Sequence, residues 1–190
     1  LCLRDSTIVI YCSDQGFYIG DHGWYDKRWM YEESLMMPFI VNWPGVTKPG
    51  TTCAHPVMST DFFPTFVKAA GSEPKGAGPI DGVDLMPLLK GKKSLDREAL
   101  YWHYPHYGNQ GCAPTGAVRE GDWKLIEWYE DGKLELFNLK KDISEESDLA
   151  KKYPDKLKTL ATQLANWRKD TGAKMPVPNK KFDPNKREGR

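Results

Sequence analysis

A chain of 190 residues that is 39% hydrophobic, 12% aromatic and 28% charged has the composition of a globular protein with a substantial core, enough for one domain or one and a fraction. Its formal net charge of +1 gives no bulk electrostatic case for binding nucleic acid or an anionic membrane, so any anion specificity must be local. No apolar run approaches the roughly 18 to 20 residues that a membrane-crossing helix requires.

The chain opens Leu1-Cys2-Leu3-Arg4, without an initiator Met or a signal-peptide pattern, and is in a strand within a few residues. We expect from this a piece of a longer polypeptide. The four cysteines, Cys2, Cys12, Cys53 and Cys112, lack the CxxC or Cys/His spacing of a zinc site and read as buried free thiols.

Residues 7–12 (TIVIYC) form a continuous β-branched and aromatic run, the pattern of a strand covered on both faces in a parallel sheet. Residues 39–43 (FIVNW) repeat it and are closed by Pro44-Gly45, so the two runs are expected side by side and parallel. Between them lies SDQGFYIGDHGWYDK, with three Asp, a His and a Lys, starting where the first strand ends. Open α/β sheets place ligands beyond the carboxyl ends of their strands.

Further along, Asp61 is positioned to cap a helix over residues 62–70, with Pro64 in the first turn and Gly71 as the stop. A shorter helical turn is expected over residues 85–89. From Ala99 the pattern becomes that of an antiparallel meander, with strands over 100–104, 115–119, 123–129 and 134–138 and turns at Gly121-Asp122 and Asp131-Gly132. Residues 154–171 then place Leu157, Leu160, Leu164 and Trp167 on one helical face, opened by Pro154 and stopped by Gly172. The expected domains are an α/β part over 1–98, an antiparallel β part with its packed helix over 99–175, and a Pro-rich, basic tail over 176–190, extended or disordered.

Asp14 and Gln15 put a carboxylate and an amide oxygen side by side, hard donors suited to calcium or magnesium. An Asp-Gly turn would look much the same, His22 alone reads as a structural histidine, and Lys27 alone as a surface charge. The combination is more specific. Asp14-Gln15-Gly16 after an apolar strand, a Gly-Asp-His-Gly turn, Lys27, then Tyr31-Glu32-Glu33-Ser34, Pro38 and a strand ending in Pro44-Gly45 resembles the sulfatase family. The resemblance continues through HPVMSTDFFPTFVKAAG, DGVDLMPLL, WHYPHY, GAVREGDWKL and ELFNL, covering residues 3 to about 180.

The resemblance implies an α/β fold: the end of an alkaline-phosphatase-like mixed or parallel sheet, followed by a small antiparallel sheet and a C-terminal helix. It implies that Asp14 and Gln15 are two ligands of one divalent metal, usually calcium, that Lys27 contacts the sulfate oxygens, and that His22 protonates the leaving group or binds substrate. His103 and His106 are the candidates for substrate contact from the small subdomain. The implied reaction is hydrolysis of a sulfate ester, of a small molecule or a glycan, with a formylglycine nucleophile. That nucleophile's C-x-P-S-R or S-x-P-x-R cassette and the family's adjacent Asp pair are not in this sequence, and Cys112-Ala113-Pro114-Thr115-Gly116 lacks the Arg. We therefore expect the nucleophile in an N-terminal half, with the 190 residues inactive alone, weakly metal-binding, and either self-associating or stable only beside that half. Met36 and Met37 stand where many relatives carry an Arg. The resemblance implies a periplasmic or secreted protein. A phosphodiesterase or phosphonate hydrolase of the same superfamily, and a non-catalytic carbohydrate-binding remnant, are the alternatives.

Overall fold

The computed structural model describes residues 3–75, 78–108 and 111–180. In chain order its elements are β1 (Val9–Cys12), β2 (Tyr18–Ile19), β3 (Tyr25–Asp26), α1 (Glu32–Leu35), β4 (Phe39–Asn42), α2 (Phe62–Ala69), α3 (Met86–Leu89), β5 (Leu100–Tyr104), β6 (Thr115–Glu120), β7 (Trp123–Trp128), β8 (Leu134–Asn138) and α4 (Pro154–Asp170). They divide into two compact units, Leu1–Cys12 with Pro38–Arg97, and Ser13–Met37 with Glu98–Arg190.

In the first unit β1 and β4 are neighbours, as the two apolar runs suggest, but they pair antiparallel, Val9 opposite Asn42 and Cys12 opposite Phe39. This corrects the expected parallel arrangement. The chain leaves β1 at Cys12 and re-enters β4 at the residue opposite, so it returns to the end it left, whereas a parallel pair needs a crossover to the far end. The two-sided burial expected of residues 7–12 is also not found. Ile8 and Ile10 line a hollow with Phe66, Ala69 and Ala70 around α2, and Phe39 meets Phe62 at 5.4 Å between ring centroids. The alternate residues Val9, Tyr11 and Ile40 are exposed, because side chains alternate across a strand and α2 covers one face.

A 3-10 turn over Ser59–Asp61 leads into α2. Asp61 does not cap α2 through its side chain, contrary to the sequence expectation. Its fully buried carboxylate instead accepts from the Met58 amide at 2.8 Å, the Val83 amide at 2.9 Å and Arg97 Nη1 at 2.7 Å. A Cβ at Gly82 would sit 2.0 Å from the Thr60 carbonyl, so only glycine lets residues 82–83 reach this carboxylate.

The second unit is built on a four-stranded sheet, β5-β6-β7-β8, antiparallel throughout. Gly121 and Gly132, in the two tight connections, have φ of 57° and 70°, the left-handed region that glycine enters without steric cost. Period-two alternation splits the strands cleanly. Val118, Leu125 and Leu136 point to one face, where Leu160 and Leu164 of α4 are wholly buried against them. Their neighbours Ala117, Ile126 and Phe137 point to the other, where they meet Tyr18, Trp29, Met30 and Tyr31. The unit is therefore a three-layer stack, with α4 on one side of the sheet and the polar segment 13–37 on the other.

Cys12, Cys53 and Cys112 are free, but only Cys112 is buried, which corrects the expectation for the other two; Cys2 lies outside the described residues. Of the expected tail, residues 181–190 also lie outside them, and 176–180 carry no helix or strand.

Candidate active site

Segment 13–37 begins with a close backbone approach. The Gly16 amide donates to the Ser34 carbonyl at 2.9 Å, and a Cβ at Gly16 would lie 1.8 Å from the Glu33 carbonyl oxygen. The glycine after Asp14-Gln15 is thus a packing requirement, and it ties the two candidate metal ligands to α1.

Strands β2 and β3, two residues each, form a hairpin closed by residues 20–24, Tyr18 opposite Asp26. Its tip passes through left-handed backbone at Gly20, His22 and Gly23, with His22 at φ 53°. Tyr18 is fully buried and anchors the hairpin on the sheet, packed edge-on to Trp29 at 5.4 Å. The His22 ring lies flat on Tyr31, 4.0 Å between centroids and 10° between planes. Its Nε2 faces Glu33 Oε2 at 3.5 Å. Tyr31 is itself fixed from below, its hydroxyl donating to Glu135 Oε2 at 2.9 Å.

Lys27 Nζ stands 3.8 Å from Asp14 Oδ2, with Asp14 83% and Lys27 34% exposed at the side chain. The Gln15 backbone amide, and after it the Lys27 ammonium, hold the Asp14 carboxyl below its ordinary range, so it is an ionised hard donor at neutral pH. An exposed pair at this distance contributes little to stability, which leaves both groups free to turn to a ligand. Among the described residues no three His, Cys, Asp or Glu converge as a metal cluster. The donors present, one carboxylate and the Gln15 amide beside it, fit a calcium ion as part of a shell that takes about six to eight oxygens.

The two histidines of the meander behave differently. His103 has both ring nitrogens engaged, Nδ1 with Tyr129 Oη at 2.8 Å and Nε2 with the Lys174 carbonyl at 3.0 Å. A carbonyl only accepts, so Nε2 carries the proton there. His106 is exposed and packs edge-on to Tyr104 at 5.4 Å. Among the described residues neither forms a hydrogen bond or ion pair with Asp14, Gln15, His22 or Lys27.

Sequence reasoning missed a buried charge network beneath the site. Glu32 Oε1 meets Lys124 Nζ at 3.0 Å and Glu32 Oε2 meets Arg119 Nη1 at 3.1 Å, while Lys124 Nζ also meets Glu145 Oε1 at 3.0 Å. Glu32 takes its cations from β6 and β7, not from the positions held by Met36 and Met37. The one sequence signal was a lysine in GDWKL flanked by Trp123 and Leu125.

The family model for the C-terminal part of N-sulphoglucosamine sulphohydrolase matches residues 20–170. The chain belongs to this sulfatase family. Its fold class is accordingly the one the sequence pointed to, the α/β, alkaline-phosphatase-like class with an antiparallel sheet and C-terminal helix. The sulfatase chain is 40% identical over 172 residues to the N-acetylglucosamine-6-O-sulfatase of Bacteroides thetaiotaomicron, covering 87% of this chain and 30% of that protein. It superposes with a TM-score of 0.80 and 36% identity on BT4656, solved in complex with its substrate D-glucosamine-2-N,6-O-disulfate, over 90% of this chain and 36% of that one. The phosphonate monoester hydrolase of Agrobacterium radiobacter shares the fold alone, at TM-score 0.72 and 23% identity over 87% of this chain and 36% of that one. The chain thus spans about 30% of the length of its curated sulfatase relative. His22, Lys27, His103 and His106 lie within the matched residues 20–170, and Asp14 and Gln15 just before them.

Proposed function

We propose that these 190 residues are the C-terminal portion of a sulfatase that hydrolyses the sulfate ester of a sulfated glucosamine. The observation that carries this reading is the pairing of Lys27 Nζ with the ionised Asp14 carboxylate at 3.8 Å, on the segment that also carries Gln15 and His22. The 40% identity to an N-acetylglucosamine-6-O-sulfatase supports the substrate class.

In this reading Asp14 and Gln15 hold one divalent cation, most simply calcium. Bound there, the cation would supply positive charge against the sulfate oxygens. Lys27 adds a compact ammonium that neutralises the same sulfate oxygens while the alkoxide leaves. The Glu33 carboxylate holds one edge of the His22 ring and Tyr31 one face, so the remaining edge is the one that can bind the sugar or protonate its leaving oxygen. His106, exposed, and His103 through Tyr129 are the candidate substrate contacts of the meander. The nucleophile, a formylglycine in this family, is supplied from outside the 190 residues.

The test is an assay of the whole protein with N-acetylglucosamine 6-sulfate, beside a phosphate diester and a phosphonate monoester of one phenol. Turnover of the sulfate ester with little of the others is expected. A preference for the phosphorus esters would replace this reading with the phosphonate hydrolase alternative.

A further inference from the structure

We infer that Lys124 and Glu145, with Arg119, are positioning residues of the site: they hold α1 in register on the sheet, and α1 in turn holds Gly16 and His22. The inference rests on the sulfatase reading above for what the site does, but its geometry is independent of that reading.

The structural chain has three links. Lys124 of β7 is wholly buried although charged, and the Glu32 and Glu145 side chains facing it are 4% and 0% exposed. Glu145 Oε2 accepts from the Glu32 backbone amide at 2.6 Å, so this carboxylate fixes the first residue of α1 through its main chain while Lys124 and Arg119 fix the same residue through its side chain. A lysine ammonium with no exposure is held only where paired carboxylates offset its lost hydration. Glu145 itself sits at φ 51°, a conformation non-glycine residues rarely adopt, and its carboxylate faces the network: Lys124 from β7 and the Glu32 amide from α1.

From α1 two contacts run to the candidate site. The Ser34 carbonyl receives the Gly16 amide, which sets where Asp14 and Gln15 begin. The Glu33 carboxylate faces His22 Nε2, and Tyr31, immediately before α1, carries the His22 ring. A helix of four residues has too few internal hydrogen bonds to keep its own register. Its place is therefore set by what grips its first residue, and a shift of about 1 Å in a catalytic group can cost on the order of 100-fold in rate.

The experiment compares Lys124→Met and Glu145→Gln with Leu157→Ala, a control that weakens α4 packing on the opposite face of the sheet, all in the whole protein at pH 8. Two readouts are taken: amide hydrogen exchange, and kcat/KM on N-acetylglucosamine 6-sulfate. We expect the Gly16 and Glu32 amides to lose about tenfold or more of their protection in Lys124→Met, with β6 and β7 amides holding theirs and kcat/KM falling about tenfold or more. Glu145→Gln should shift the same amides less, and Leu157→Ala should lower the melting temperature without the kcat/KM loss. If protection falls equally over segment 13–37 and the sheet, or kcat/KM tracks melting temperature across all three variants, the network is merely structural and the inference is wrong. Should Lys124→Met fail to fold, the isosteric Glu145→Gln decides by the same criteria. A wild type that turns over no sulfate ester overturns the proposed function, while the exchange readout still decides whether the network positions α1.

Discussion

At Gly16 the backbone of the metal-ligand pair comes so near Glu33 that one added methyl group has nowhere to go. Gly16→Ala should therefore destabilise the chain by about 1–3 kcal/mol, the usual cost of forcing atoms into filled space, measured by urea unfolding; an unchanged midpoint would mean that this approach is not present in solution. The chemical residues call for a separable pair of tests in the whole protein. Asp14→Ala removes the only carboxylate of the proposed ligand pair and should lower bound calcium by elemental analysis. Lys27→Ala leaves both oxygen donors in place and should reduce turnover about 100-fold, the order seen when one preorganised partner of a developing charge is removed, with calcium content retained. Calcium unchanged in Asp14→Ala would remove the ligand assignment, and calcium lost in Lys27→Ala would move Lys27 from sulfate binding to a structural role.

Elements whose cause is local were legible in the sequence. Strands β5 and β8 have the expected bounds and β6, β7 and α4 differ by one residue, because alternation, two glycine turns and a Pro-to-Gly helix frame are written in neighbouring residues. The direction of β1 against β4 was not, since an apolar run has the same composition read either way. Nor was the charge network, whose partners Lys124 and Glu32 lie 92 residues apart and whose Glu145 and Glu32 lie 113 apart. The candidate residues 14, 15, 22 and 27 were readable because they fall within one short segment, whereas Glu33 as the partner of His22 depends on a left-handed tip that no pattern announces. The network also makes a pH prediction for the elements it joins. Burial pushes the Glu145 carboxyl up from its ordinary 4.5 to about 7, outweighing the opposite pull of Lys124. The folded state then holds a proton that the unfolded chain releases, so the associated stability is complete below about pH 4.5 and is lost as pH rises through about 7. The melting temperature of wild type minus that of Glu145→Gln should fall between those limits and level off above about pH 8. A difference that stays flat over the same window would show that Glu145 is ionised throughout, held by Lys124.

On the scale of the whole chain the two units differ in how much apolar surface they bury. In the second, both faces of the sheet are filled, and Val118, Leu125, Ile126, Leu136, Leu160 and Leu164 have no exposure at all. Truncating Leu160 or Leu164 of α4 to Ala would cost about 2–5 kcal/mol. In the first, the described residues bury Leu85 and Pro64 among their apolar side chains, and the β1–β4 pair leaves Val9, Tyr11 and Ile40 more than half exposed. A two-stranded pair with one covered face is marginal by itself in water. The 190-residue chain, expressed alone, should therefore not unfold as one cooperative body. The β1 and β4 amides should exchange far faster than those of β6 and β7, and the exposed face should promote self-association. Sedimentation of Tyr11→Lys/Ile40→Glu beside wild type tests the second point, because adding charge to that face should shift the chain toward monomer without altering exchange in β5–β8. Equal protection in the two units, with a monomeric wild type, would mean that β1 and β4 are stabilised by contacts other than those of α2.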